Sequence, residues 1–308
     1  MKILFVDTFC HKKNKIGFYL LCEENNIEYT ISTNASVFQE SYDIVMIPSQ
    51  FINPMMFPNT KWIIYGPHNF VFATNEWKGP QQMFPKHCVY NLLSEWIQTV
   101  QEEFGGLSLP SIALPFPVEI QKFCPDSTEK TLDCFLYFKG RQRELLQFAE
   151  ARLQALGLRY TLLQYGSYQE DEYLKVLRSS RFGVWIGTHE SQGFALQEAL
   201  STNVPLAVWN VKSMFDEYNK ENEISYKEDQ RLYRLTATSV PYWDHRCGEL
   251  FYKQEEFDAT LQKVSANAHL YKPRDYIVEN LSPKACYQRL LTVMQGIPAL
   301  SGNSETPS

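Results

Sequence analysis

Glu190 and Glu198 stand on either side of a glycine turn with seven residues between them. Carboxylates so placed can hold the hydroxyls of a sugar. Before them runs Phe182–Ile186, an apolar stretch with strand character, and Gly187–Gly193 reads as a short loop. A helix is expected from Phe194 to near Asn203, with a second strand at Pro205–Trp209. The N-terminus of a helix offers unpaired backbone N–H groups and the positive end of the helix dipole. Gly193 has no side chain, so a phosphate can approach closely, and the amides of Gly193, Phe194 and Ala195 could cradle a diphosphate. Glu190, just upstream, would accept hydrogen bonds from the sugar. Glu198, about one and a half turns into the helix, would reach a ribose diol.

The spacing alone carries little weight, because Glu95 and Glu103 repeat it. They fall on one continuous helix pattern without a glycine turn, roughly 80° apart around the axis, as expected of solvated surface. What chance does not readily produce is the order strand, loop Glu, Gly turn, helical Glu198-Ala199, strand. That order resembles the E-x7-E element of retaining GT-B glycosyltransferases of the glycogen-synthase and mannosyltransferase kind. The resemblance is specific over residues 181–210 and covers the rest of the chain in outline. It implies an α/β chain of GT-B type, with two Rossmann-like domains facing each other across a cleft. It also implies transfer of a hexosyl or pentosyl unit from a nucleoside-diphosphate sugar to an acceptor hydroxyl, with retention of configuration. Carbohydrates or glycoconjugates are the implied acceptors.

Further segments carry the same resemblance. Lys61–Phe70 (KWIIYGPHNF) is an apolar strand running out into His68, which the resemblance places against the donor sugar, a catalytic position shared with Glu190. Asp133–Arg141 (DCFLYFKGR) is similar to the family's first strand of the second domain, which ends in Gly-Arg. This aligns Arg141 with the donor phosphates, and a guanidinium matches phosphate in a two-pronged contact. Where the family usually has a lysine further along, this chain has Leu146, and Lys139 or Arg143 are the candidates to replace it. In the turn Tyr165-Gly166-Ser167-Tyr168, Gly166 and Tyr168 are candidate contacts for the base. With phosphate charge met by Arg141 and a helix end, and with no Asp-x-Asp motif, neither a metal nor a cofactor is expected. A non-catalytic nucleotide-sugar or glycan-binding protein of the same fold is one competing reading. A two-carboxylate glycoside hydrolase is another. The glycine turn and Arg141 favour the transferase.

The elements that must position these residues come in two successive α/β patterns. In the first half, strand-like runs at Ile3–Val6, Glu28–Ser32, Tyr42–Pro48, Lys61–Tyr65 and Cys88–Leu93 alternate with helix-like segments at Gly17–Asn25 and Glu95–Phe104. A passage with Pro110, Pro115, Pro117 and Pro125 reads as a linker, because proline breaks helices and central strands. The pattern then restarts at Leu132. The expected organisation is an acceptor-side domain over 1–118 and a donor domain over 119–280. A C-terminal helix over 281–297, able to cross back to the first domain, and a disordered tail over 298–308 complete it. Beyond residue 210 the pattern fades, with helices expected at Glu255–Val264 and Lys284–Met294.

Composition narrows the class. The formal net charge of −6, without a long basic run, argues against nonspecific nucleic-acid binding. No stretch of about 18 apolar residues occurs, so any membrane contact would be peripheral. The apolar run at Ile3–Val6 ends at Asp7, too early for a signal peptide. Seven scattered cysteines without zinc-ligand spacing suit a reducing cytoplasm. Oligomeric state is left open.

Overall fold

Val, Ile, Leu and aromatic runs that are apolar without alternation form parallel sheets buried on both faces, and this chain builds two of them. The structure, a computed structural model, describes residues 1–7, 9–48, 50–67, 84–85, 87–104, 107–217 and 235–296. The chain divides into two units. One comprises Met1–Pro117 and the chain from Pro283 on, the other Val118–Ser282.

In the first unit the strands are β1 (Lys2–Phe5), β2 (Glu28–Ile31), β3 (Tyr42–Ile47), β4 (Thr60–Tyr65), β5 (Cys88–Asn91) and β6 (Ser111–Ile112). They pair in the order β2-β1-β3-β4-β5-β6, every pair parallel, with Phe5 opposite Met46 and Ile64 opposite Val89. One face packs Leu4, Val45, Ile63 and Tyr90 against Phe38, Phe57 and Ile97. The last of these lies on α2 (Glu95–Phe104). The strand β6 lies inside the proline-rich passage read as linker. It is two residues long, and the ladder is continued by Tyr90 N–H donating to the Pro110 carbonyl, for which proline needs no N–H of its own.

The helix α1 (Lys12–Glu24) starts five residues earlier than the periodicity suggested. His11 caps it through its ring, with Nδ1 accepting the Lys13 N–H at 3.3 Å, a capping residue outside the usual Ser, Thr, Asp and Asn. Within α1, Gly17 permits close approach, since a Cβ there would stand 2.6 Å from Cβ of Phe116. Against α1 packs α8 (Pro283–Gly296), the last described helix, with Asn25 Nδ2 donating to the Pro283 carbonyl at 3.1 Å.

The second unit contains β7 (Leu132–Phe138), α3 (Arg143–Ala155), β8 (Tyr160–Gln164), α4 (Glu170–Ser179), β9 (Ser180–Ile186), α5 (Phe194–Ser201) and β10 (Leu206–Trp209). It continues with β11 (Gly248–Phe251), α6 (Phe257–Asn267) and α7 (Pro273–Leu281). Neither β11 nor α7 stood out in the sequence, the first being short and the second having only four buried positions. The five strands are parallel in the order β11-β10-β9-β7-β8. Helix α6 covers β9–β11 with Phe257, Leu261 and Val264. The entry of this unit is tied down by Arg274, whose Nη1 donates to the carbonyls of Ile120, Phe123 and Ser201. No helix among the described residues is long and apolar enough to cross a membrane.

Candidate functional site

In the second sheet β8 and β9 flank β7. The chain therefore leaves the carboxyl ends of β7 and β9 in diverging directions, which opens the crevice where such sheets bind ligands. Two segments border it: Lys139–Gln142 after β7 and Gly187–Gly193 after β9. The strand ends stay paired to the last residue, with Lys139 N–H donating to the Ile186 carbonyl at 2.9 Å.

Helix α5 begins at Gly193, whose φ of 86° lies in the left-handed region. A side chain there would have room, with Glu190 Cβ at 3.4 Å and Pro241 Cδ at 3.8 Å, so backbone conformation and not space calls for glycine. The turn is braced from within. Gln197 N–H donates to the Gly193 carbonyl at 3.0 Å and Gln197 Nε2 to the Gln192 carbonyl at 2.5 Å, both glutamines being buried. Phe194 and Ala195, the first helical residues, are half-buried.

Glu190 and Lys139 meet across this crevice. The Lys139 Nζ lies 2.5 Å from Glu190 Oε1 and 4.7 Å from the centre of the Tyr165 ring. Their side chains keep 24% and 15% exposure, enough for a ligand to reach them. Burial opposes the charge on Lys139, but the Glu190 carboxylate outweighs it and holds the ammonium pKa above its usual value. Glu190 is anchored through its own N–H, which donates to the Thr238 carbonyl at 3.1 Å.

Arg141 also stands at the end of β7, but its side chain turns into the protein. It is 6% exposed and its Nη1 donates to the carbonyls of Gly187 at 3.1 Å and Trp209 at 3.4 Å. Burial presses its pKa down, and the carboxylates of Glu217 and Asp216 oppose that. The guanidinium thus joins the ends of β9 and β10. Arg143, the first residue of α3, is exposed.

An aromatic stack supports the other flank. Tyr137 lies on Trp185 with ring centres 3.6 Å apart, and Tyr168 on Tyr173 at 5.0 Å. The Tyr173 hydroxyl, kept protonated by burial, donates to the Ala195 carbonyl at 2.6 Å and so ties α4 to the first turn of α5. Tyr168 is therefore part of this packing, with its hydroxyl 3.5 Å from that of Tyr137. Gly166 turns at φ 81° with open space around it, and Tyr165 beside it is 52% exposed.

Glu198 is 4% exposed, well inside α5. Its carboxylate joins those of Glu119 and Glu170, all with an oxygen within 4.8 Å of one another, and Lys122 pairs with Glu170. Among the described residues it is the one group of three or more His, Cys, Asp or Glu side chains close enough to share a cation. His68 lies outside the described residues.

The sequence reading missed one pair in this loop. His189, next to Glu190, gives its backbone N–H to the carboxylate of Glu217, and its Nδ1 stands 2.6 Å from Glu217 Oε2. Glu217 ends a single helical turn, Met214–Glu217, and is 0% exposed. No local pattern announces it, since the partners are 28 residues apart and Glu217 belongs to no long periodic element.

No family model and no curated protein matches the sequence. Solved structures do. The chain is similar to the lipopolysaccharide outer core galactosyltransferase WaaB in its apo form, at 14% identity and a TM-score of 0.54, covering 96% of this chain and 99% of that one. It is also similar to sucrose-phosphate synthase from Thermosynechococcus elongatus, at 9% identity and a TM-score of 0.51, with 96% and 98% covered. A third is the pneumococcal O-GlcNAc transferase GtfA in complex with UDP and GlcNAc, at 12% identity and a TM-score of 0.51. The match covers 85% of this chain and 58% of GtfA. Such low identities speak for architecture, and that architecture agrees with two parallel-sheet α/β units. The fold is GT-B.

Proposed function

We propose that this chain is a glycosyltransferase that takes a sugar from a nucleoside-diphosphate sugar and joins it to an acceptor hydroxyl. The observation that carries this reading is the Lys139–Glu190 pair at the switch point of the second sheet, beside the glycine-started helix α5. An ammonium, a carboxylate and a helix N-terminus are the three groups that a sugar diphosphate asks for: two to receive phosphate charge, one to receive sugar hydroxyls.

In the reaction the bond from the sugar's anomeric carbon to the diphosphate oxygen breaks, and a bond from the acceptor oxygen forms. The acceptor's proton leaves with the diphosphate, whose growing charge is met by the amides of Gly193, Phe194 and Ala195 and by Lys139. Arg141 acts from the protein side, its buried charge adding to the field while it braces both loops. Lys139 fills the place left by Leu146, in preference to Arg143, because it already stands beside Glu190. Glu190 holds the sugar as positive charge develops on it, and His68 is assigned to the same sugar. Glu198 is assigned to the ribose and the Gly166 turn to the base. Retention of configuration follows from the likeness to the E-x7-E element, and phosphate charge met by Lys139 and α5 asks for no divalent ion. The solved relative GtfA holds UDP, which makes UDP-sugars the first donors to try. Acceptors are expected among carbohydrates and glycoconjugates. The seven free thiols, five of them buried, suit a reducing cytoplasm.

The test is donor turnover, read as UDP release from a panel of UDP-sugars. Glu190→Ala should abolish release while leaving the melting temperature near that of the parent chain, and EDTA should leave parent activity in place. Full activity in Glu190→Ala would remove the central claim, and loss in EDTA restored by manganese would remove the metal-free mechanism.

A further inference from the structure

His189 precedes Glu190 in the loop after β9, and one buried carboxylate holds it twice. Glu217, at 0% exposure, accepts the His189 backbone N–H and stands 2.6 Å from Nδ1. A proton must lie between that nitrogen and the carboxylate, since two acceptors so close would repel. The ring is thereby fixed with its Nδ1 edge on Glu217.

The loop is pinned at three neighbouring residues. The Gly187 carbonyl accepts from Arg141 Nη1 at 3.1 Å and from Ser239 Oγ at 3.2 Å. Glu190 N–H donates to Thr238 at 3.1 Å. Between them sits His189, held through its ring and its backbone by the single carboxylate of Glu217. The peptide that carries the Glu190 carboxylate decides where it can reach.

We propose that His189 is a positioning residue for Glu190: clamped by Glu217, it sets the peptide from which the sugar-holding carboxylate projects toward Lys139. The inference rests on the transferase reading. It gives turnover a dependence on a ring that need not touch the donor. It also explains why a fully buried carboxylate is kept at the edge of this site, near the buried guanidinium of Arg141, which compensates its charge.

The experiment compares the full chain with His189→Ala, His189→Asn and Glu190→Ala. Turnover is read as nucleotide release, with water taking the place of the acceptor hydroxyl, from UDP-glucose, UDP-galactose, UDP-N-acetylglucosamine and GDP-mannose, and affinity as calorimetric binding of UDP. His189→Ala keeps the backbone bond to Glu217 and loses the ring. Its kcat should fall on the order of 10²-fold, the scale of a misplacement of about 1 Å in a reacting group. Its affinity for UDP and its KM should stay at parent values. His189→Asn, whose amide can donate to Glu217, should recover most of the loss. If the alanine variant does not fold, His189→Leu, which fills the space of the ring but has no donor for Glu217, takes its place, with the same loss of kcat expected.

Parent kcat in His189→Ala beside an inactive Glu190→Ala would overturn this inference and leave the transferase reading standing. So would a joint loss of kcat and UDP affinity that asparagine does not recover. Parent activity in Glu190→Ala would overturn the transferase reading and this inference with it.

Discussion

Lys139 is the residue whose surroundings say most about what enters the crevice. Its ammonium is drawn between the Glu190 carboxylate and the Tyr165 ring, and the carboxylate keeps it charged despite burial. A cation held this way is available to a diphosphate, because Glu190 can give it up once the phosphates supply stronger charge. Arg141, expected to make that contact directly, spends its Nη1 on two main-chain carbonyls. Replacing Lys139 by Met should therefore raise the Kd for UDP about tenfold, or about 1.4 kcal/mol, measured by calorimetry. Arg141→Lys should instead show first as a lower melting temperature. An unchanged Kd in Lys139→Met would place the phosphates elsewhere.

At the scale of elements, the start of α5 is the point where local conformation and chemistry coincide. Gly193→Ala puts a Cβ on a backbone at φ 86°, at a cost of about 1–2 kcal/mol. A Cβ there meets its neighbours at ordinary contact distance, so the chain should fold with that loss in urea unfolding while UDP binding weakens as the helix start shifts. This element was legible in the sequence because its signals are local: an apolar strand buried on both faces, a glycine forced into the left-handed region, and a short helix. Strands β1, β3, β4, β7, β9 and β10 were legible for the same reason. The start of α1 was not, because an imidazole does the capping. The Glu217–His189 clamp was not either, because its partners lie on separate elements and meet only after folding. Which way Arg141 turns was equally hidden, since a Gly-Arg pair at a strand end reads the same whether the guanidinium faces a ligand or two carbonyls.

The whole molecule has two sheets but does not spend its chain on them in simple succession. Helix α8, at the end of the described chain, belongs to the first unit, where it buries Cys286 and Leu290 and packs on α1. A chain stopped at Ser282 should lose stability in the first unit only. Calorimetry should show one transition lowered and the other, from the unit Val118–Ser282, in place, whereas a shift of both would contradict this division. The same helix bears on how the protein comes to be made. Domains generally fold as units while the chain emerges from the ribosome, the N-terminal one first. Here the second unit is a continuous segment, whereas the first must wait, with a face of α1 uncovered, for a helix that follows that whole segment in the chain. The unit Val118–Ser282 is thus the one positioned to mature early, and the first unit is completed only after it has been translated.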